Sequence, residues 1–190
     1  MAPAAAEFPL LAVIGDVLAP AECDRIIEAG QRLPEFAGAV NDPNARDGEN
    51  PVRDASVRSL PPDDGFGWVY ERLLQRAGAH NQQSLGFELE QTESLQLLSY
   101  GPGQHYDWHV DIGTAELAHR KLSLIVPLSD PADYEGGELE LFFSDQPTMA
   151  SKARGALVLF PSFVLHRVRA ISRGRRFSLA LWLRGAQRFR

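Results

Sequence analysis

The densest run of chemically capable side chains is "YGPGQHYDWHVDIG", residues 100–113. His109 and Asp111 stand two positions apart there, so on an extended strand both project to the same face. A neutral imidazole beside a carboxylate offers two ligands to a divalent metal. His166, in the later segment "PSFVLHRV", supplies a third if its strand lies opposite. Two imidazoles and one carboxylate on one side of an octahedron leave three positions open, a set that suits Fe(II) with a co-substrate and O2. Taken alone, H-x-D is a weak signal, because a surface His beside an Asp is commonplace.

Arg176 and Ser178 strengthen it. A guanidinium holds a carboxylate in a bidentate fork, and a neighbouring hydroxyl adds a hydrogen bond. Residues 151–190 contain 10 Lys/Arg and no acid, so a buried Arg176 has no local counter-ion and is costly unless an anion arrives. A dicarboxylate co-substrate would be such an anion. Strand alternation in "RRFSLALWL" puts Arg176, Ser178, Ala180 and Trp182 on one face, and Phe177, Leu179, Leu181 and Leu183 on the other. The second face is wholly apolar and should meet helices. The first, with its charge, hydroxyl and indole, fits a barrel lumen that holds a ligand.

The elements that must carry these side chains fall into two textures. "FPLLAVIGDVLAPAECDRIIEAGQRL" reads as a strand, then a helix with Pro20 at its start and Cys23, Ile26, Ile27 and Gly30 along one face. Residues 40–54 are rich in Asn, Asp, Pro and Gly without apolar period and read as a surface loop. Its Arg46 and Arg53, with Arg58 beyond, could belong to a lid over an acceptor, although an ordinary loop is the plainer reading. A strand near "ASVRSL" precedes a second amphipathic helix carrying Trp68, Leu73, Leu74 and Ala77 after an acidic cap. From Glu88 on, strands alternate with turns: "ESLQLLSY", "KLSLIVPLS", "GELELFF", "ALVLF", "HRVRAI" and "RRFSLALWL". Helices followed by at least six short strands predict an α+β, mainly β, fold, with a jelly-roll core and N-terminal helices packed on one sheet.

A chain of 190 residues holds one domain with a substantial core, with helical support over about 1–86 and the jelly roll over about 87–184. With 44% apolar and 23% charged residues, disorder and a bare coiled coil are excluded. The net charge of -6 is uneven: residues 1–150 hold 9 Lys/Arg against 25 Asp/Glu, and the basic excess lies wholly beyond them. A nucleic-acid arm would be polar and repetitive, whereas this basic segment carries "ALVLF" and "FSLALWL", the runs of buried strands. The single Cys23 rules out an intramolecular disulfide and a Cys-based zinc cage and fits a reducing cytoplasmic setting. The N-terminus, interrupted by Glu7, Pro9 and Asp16, is read as no signal peptide, and no run of 18 apolar residues predicts a membrane span.

In combination the motifs resemble the Fe(II)- and 2-oxoglutarate-dependent oxygenases, in their prolyl 4-hydroxylase-like branch with its bacterial members. The matching pieces are Tyr100, Gly103, Tyr106, His109 and Asp111 as Y-x-x-G-x-x-Y-x-x-H-x-D, then "RKLSLIVPLSD", "YEGGELEL", "LFPSFVLHRV" with His166 and "RGRRFSLALW" with Arg176. Order and spacing hold over roughly residues 90–184. The resemblance implies a double-stranded β-helix. It makes His109, Asp111 and His166 the iron ligands and Arg176 the partner of the distal carboxylate of 2-oxoglutarate. Tyr100 and Ser123 become further co-substrate contacts. Ser178, on the lumen face beside Arg176, reads as another, and Tyr106, Trp182 and Arg53 read as the acceptor pocket. No catalytic residue beyond the metal ligands is expected. Pro127 departs from the pattern, standing where some prolyl hydroxylases carry a lumen tyrosine.

The implied reaction hydroxylates an unactivated C–H of a prolyl residue or another amino-acid-like acceptor, small or peptidyl, consuming O2 and releasing succinate and CO2. Ascorbate as reductant and a homodimer are left open, and nucleic acid and membrane are not expected partners. A non-catalytic jelly-roll module that binds metal or ligand is the alternative. A zinc hydrolase would accept the same ligands but would lack an evident general base and leave Arg176 idle. His80 reads as a helix end, His105 and His119 as loop histidines, and Trp108 as aromatic bulk. Gly136 and Gly137 read as a turn at positive φ, and Arg173 and Arg175 as solvated turn residues.

Overall fold

The computed structural model describes residues 10–37, 52–143 and 145–189. Its elements are β1 (Ala12–Ile14), α1 (Pro20–Gln31), β2 (Phe36–Ala37), β3 (Arg53–Asp54), β4 (Ser56–Leu60), α2 (Gly67–His80), β5 (Gln91–Thr92), β6 (Leu95–Tyr100), β7 (His105–His109) and β8 (Arg120–Pro127). They continue with β9 (Tyr134–Gly136), β10 (Leu139–Phe142), β11 (Thr148–Met149), β12 (Leu157–Pro161), β13 (Leu165–Val168), β14 (Ile171–Gly174) and β15 (Arg176–Arg184). The larger sheet runs β1-β12-β8-β15-β6-β4-β2, with β5 also paired to β15, and the smaller runs β11-β10-β13-β7-β3. β9 and β14 form a separate pair. All of these pairings are antiparallel, which gives the expected jelly roll.

Two apolar layers follow from the alternation of β15. Leu179, Leu181 and Leu183 pack with Leu97, Leu122 and Leu124 of neighbouring strands against Ile26 of α1 and Val69, Leu73 and Ala77 of α2. Ala180 and Trp182, on the opposite face, pack between the sheets with Tyr100, Leu141, Phe160 and Val168. One strand therefore divides a helix-facing core from the lumen, as its sequence period requires.

The helices keep their predicted places, α1 with its expected buried face and α2 with a shifted one. Pro20 opens α1, and Glu22 in the first turn accepts a hydrogen bond from the Ala19 amide at 2.8 Å. Cys23, free of any disulfide, is buried on the sheet side of that helix. The acidic cap expected for α2 is absent. Asp63 and Asp64 lie in a separate 3-10 turn that ends at Gly65 with φ of 87°, and α2 begins after Phe66 without a side-chain cap. Its buried face is Val69, Tyr70, Leu73 and Ala77, while Trp68 and Leu74 pack on the flank. The Tyr70 hydroxyl donates to the Leu60 carbonyl at 2.9 Å and accepts from the Leu95 amide at 2.6 Å, tying α2 to β4 and β6.

Three further expectations change. Residues 1–86 are more than helical support, because β1, β2 and β4 extend the larger sheet and β3 the smaller. Of the stretch read as a loop, residues 40–51, with Arg46, lie outside the described residues, and Arg53 and Asp54 form a strand registered against Tyr106 and His105. "HRVRAI" splits into β13 and β14, since the chain leaves the smaller sheet at Arg169, whose amide bonds the Glu138 carbonyl, to pair with β9. Gly136 and Gly137 do adopt positive φ, at 82° and 64°. A Cβ on Gly136 would lie 2.2 Å from the Ala170 carbonyl oxygen, so the close approach of β9 to β14 demands glycine.

The basic C-terminal segment is absorbed by the acidic body. Lys152 pairs with Glu138 at 2.8 Å, Arg167 with Glu140 at 2.7 Å and Arg173 with Glu135 at 2.9 Å, while Arg154 meets Asp24 and Arg184 meets Glu116. Arg175, expected to be solvated, donates to the Ser99 hydroxyl at 2.9 Å. Among the described residues no helix is long and apolar enough to cross a membrane.

Leu181 is fully buried in the helix-facing layer, whereas Leu165 on the outer face of the smaller sheet is 37% exposed. Leu181→Ala is expected to lower unfolding free energy by about 2–5 kcal/mol, and Leu165→Ala by roughly 1 kcal/mol or less, in urea titrations.

Candidate metal centre

His109 ends β7 and His166 lies in β13, the two being direct cross-strand partners. Asp111 does not continue the strand of His109. Its amide and that of Ile112 donate to the Ser162 carbonyl, and this turn swings the carboxylate back toward the histidines. The expected juxtaposition is present, produced by a turn instead of strand alternation. The Nε2 atoms of His109 and His166 lie 3.7 and 3.5 Å from the two Asp111 carboxylate oxygens, and one ligand atom from each residue lies within 4.8 Å of the others.

Each imidazole is oriented by its own backbone. Nδ1 of His109 lies 2.7 Å from the Asp107 carbonyl, and Nδ1 of His166 lies 2.9 Å from the Val164 carbonyl. A carbonyl only accepts, so both Nδ1 atoms carry the proton and both Nε2 lone pairs are free to bind metal. Burial, and then neighbouring His166, hold the His109 pKa down to about 4 against the opposing pull of Asp111, which keeps the ring neutral at pH 7. Burial pushes the Asp111 carboxyl upward, but His166, His109 and a hydrogen bond from Ser123 outweigh it and hold the group below its usual range. Its ionised oxygens complete a facial set of two nitrogens and one carboxylate.

The triad opens into a cavity of about 420 Å³ that also holds Arg53, Tyr100, Tyr106, Arg120, Arg176, Ser178 and Trp182. Arg176 is 3% exposed, donates to the Ser178 hydroxyl at 2.9 Å and lies 5.6 Å from the centre of the Tyr100 ring, its cross-strand partner. No carboxylate among the described residues pairs with it. The Tyr100 hydroxyl and the Trp182 indole N–H are buried in the same cavity, near Arg53 and Asp111 respectively but without a well-formed hydrogen bond. A cation lacking a counter-ion beside two orphaned polar atoms is the environment of an anionic ligand, so the residues fit a metal together with a carboxylate co-substrate.

Ser123 is on the lumen face, cross-strand from Trp182 and Phe160, with its hydroxyl turned to the metal triad. Its hydroxyl donates to Asp111 Oδ2 at 2.6 Å and lies 3.0 Å from the Ser162 hydroxyl, outside the cavity lining. Pro127 is the cross-strand partner of Ser178 and is likewise no part of that lining. Tyr106 stacks on His109 with ring centres 3.4 Å apart and planes within 9°. Trp108 points outward, 4.5 Å from the Arg167 guanidinium carbon and edge-on to Phe142. His80 ends α2, while His105 and His119 lie outside the cavity against the carbonyls of Gly103 and Gly185.

Two contributors escape sequence reasoning. Arg120 forks onto Glu93 at 2.7 and 2.5 Å, donates to the Asp111 carbonyl at 3.2 Å and covers the Trp182 ring at 4.0 Å. Ser162 accepts the Asp111 turn through its carbonyl and reaches Ser123 through its hydroxyl. Both partnerships span 27 or more residues, and the only local signal was a charged head on the otherwise apolar strand "RKLSLIVP". Ser123→Ala removes one donor from the Asp111 carboxylate and is expected to weaken Mn(II) binding, followed by electron paramagnetic resonance titration, by about 10–100-fold with the fold intact.

Comparison with known proteins places this geometry. Residues 95–184 match the model of the 2OG-Fe(II) oxygenase superfamily. A PKHD-type hydroxylase of Synechococcus sp. (strain JA-2-3B'a(2-13)) is 28% identical over 183 residues, covering 92% of this chain and 78% of its own. A prolyl-4-hydroxylase crystal structure from Pseudomonas putida superposes with a TM-score of 0.64 at 24% identity, covering 93% of both chains. The viral collagen prolyl hydroxylase from Paramecium Bursaria Chlorella virus-1, solved as a 2OG complex, gives 0.69 at 21% identity and covers 93% of this chain and 97% of its own. Over residues 95–184, its jelly-roll core, this chain is similar to the 2OG-Fe(II) oxygenase superfamily, and over most of its length it is similar to PKHD-type hydroxylases.

Proposed function

We propose that the whole chain forms one oxygenase domain that hydroxylates a C–H bond of a prolyl residue or another amino-acid-like acceptor, using Fe(II), O2 and 2-oxoglutarate and releasing succinate and CO2. The observation that carries this reading is Arg176, a buried cation without a counter-ion in the same cavity as the His109, Asp111 and His166 triad. A module that binds a metal alone would leave that charge unexplained.

When bound, Fe(II) and 2-oxoglutarate supply the oxidative decarboxylation and the oxidant that takes hydrogen from the acceptor. His109, Asp111 and His166 hold the metal, with Ser123 fixing one Asp111 oxygen and the Asp107 and Val164 carbonyls fixing the imidazole faces. Arg176 receives the distal carboxylate, with Ser178 beside it and the Tyr100 hydroxyl free to donate. Tyr106, Trp182 and Arg53 form the acceptor side of the cavity, where Trp182 and the apolar lining keep water from the reacting carbon. Ascorbate as external reductant and a reducing cytoplasmic setting, in keeping with the lone buried Cys23, complete the reading.

Anaerobic addition of Fe(II) and then 2-oxoglutarate should produce a weak visible charge-transfer band, and admission of O2 should produce succinate. His166→Ala should abolish the band at any 2-oxoglutarate concentration. Arg176→Ala should leave Fe(II) binding in place and raise the 2-oxoglutarate concentration needed for the band about 10–100-fold, the size of one lost charge-assisted interaction. Absence of both band and succinate in the folded wild-type protein overturns the proposal.

A further inference from the structure

The cavity holds three guanidinium groups, and their partners differ. Arg120 is neutralised by its fork onto Glu93. Arg176 lines the same cavity as the triad and takes the co-substrate in the function proposed above. Charge balance then closes around the metal: Fe(II) and Arg176 together offset the Asp111 carboxylate and a doubly charged 2-oxoglutarate. Arg53 is left over. It lines the cavity, has no carboxylate partner among the described residues, and its Nε is buried without a hydrogen bond. The nearest acid in sequence, Asp54, accepts instead from the Gln104 amide at 2.8 Å.

The position of Arg53 is fixed by its strand. β3 pairs with β7, placing Arg53 directly across from Tyr106, and the guanidinium carbon lies 5.0 Å from the centre of the Tyr106 ring. Tyr106 itself stacks on the metal ligand His109. The guanidinium is thus held over an aromatic face one ring removed from the metal centre, with donors to spare. Arg53 is half-buried, and leaving its buried Nε unpaired is costly unless a ligand completes it.

We infer that Arg53 is a specificity-determining residue that binds a carboxylate on the acceptor. This rests on the function proposed above and adds the chemical class of the acceptor: a carboxylate-bearing molecule, oriented by one arginine for the acceptor and another for the co-substrate. The carboxylate has two sources, the free α-carboxylate of an amino acid or the acidic side chain of a peptide.

The test uses the wild-type protein loaded anaerobically with Fe(II) and 2-oxoglutarate, reading the perturbation of the charge-transfer band by paired probes. L-proline is compared with L-prolinamide, L-leucine with L-leucinamide, and an end-blocked prolyl-glutamyl peptide with its prolyl-glutaminyl counterpart. The first two pairs report a free amino acid and the third a peptide side chain. In at least one pair the acid should bind about ten-fold or more tightly than its amide, the effect of one charge-assisted hydrogen-bonded pair. In Arg53→Gln that ratio should fall to within about two-fold, and in Arg53→Lys, which keeps the charge but not the fork, it should stand between. The ratio is taken within each protein, so a general loss of binding cancels. Equal binding of acid and amide throughout the wild-type panel, or a preference that survives Arg53→Gln, overturns the inference while leaving the co-substrate reading untouched. If no band forms in the wild-type protein, that reading fails and this one falls with it.

Discussion

A guanidinium shut away from water with no carboxylate to meet it is the constraint around which the rest of this structure is arranged. Arg176 opens β15, the strand central to the larger sheet, and is only 3% exposed. An isolated buried charge costs several kcal/mol, more than the single hydrogen bond that Arg176 donates to Ser178 returns, about 1.5–3 kcal/mol. The fold tolerates it because the strand is locked by pairing on both sides and by the leucines of its other face under the helices. The site is therefore a place where folding stability is given up for ligand binding, and the ligand must be an anion.

The metal ligands obey the complementary rule. Asp111 is an anion in the interior, held by the hydrogen bond from Ser123, while the imidazoles beside it keep their Nε2 lone pairs for a metal. Ser123 and Arg120 of β8 and Ser162 before β13 converge on the Asp111 turn, so two chain segments fix its carboxylate and its backbone. Rigidity of this kind holds the ligand atoms close before any metal arrives, and it explains why so much polar machinery lies behind the triad instead of facing the cavity.

Much of this was legible in the sequence, for identifiable reasons. The period of two in "RRFSLALWL" separates lumen from core without knowledge of the partners, because it depends only on strand geometry. The H-x-D pair and the distal His166 declare themselves by residue type. The basic excess after residue 150 was legible as composition, and its neutralisation by Asp24, Glu116, Glu135, Glu138 and Glu140 is its structural counterpart. What stayed hidden are interactions with no local period. Ser123 turns to Asp111 and not to the co-substrate end, Arg120 reaches back to Glu93, and the short β3 that carries Arg53 gains its strand conformation only by adding to the edge of β7. Two-residue edge strands carry almost no propensity of their own, so tertiary pairing decides them.

The central claim is that one cavity is charged to hold a metal at one end and a dicarboxylate at the other. A crystal structure of the wild-type protein with Mn(II) and 2-oxoglutarate tests it most directly. The account predicts Mn(II) on His109 Nε2, Asp111 and His166 Nε2, with the distal carboxylate of 2-oxoglutarate forked onto Arg176 beside Ser178. A metal bound elsewhere, or a 2-oxoglutarate whose distal carboxylate leaves Arg176 unpaired, would contradict it.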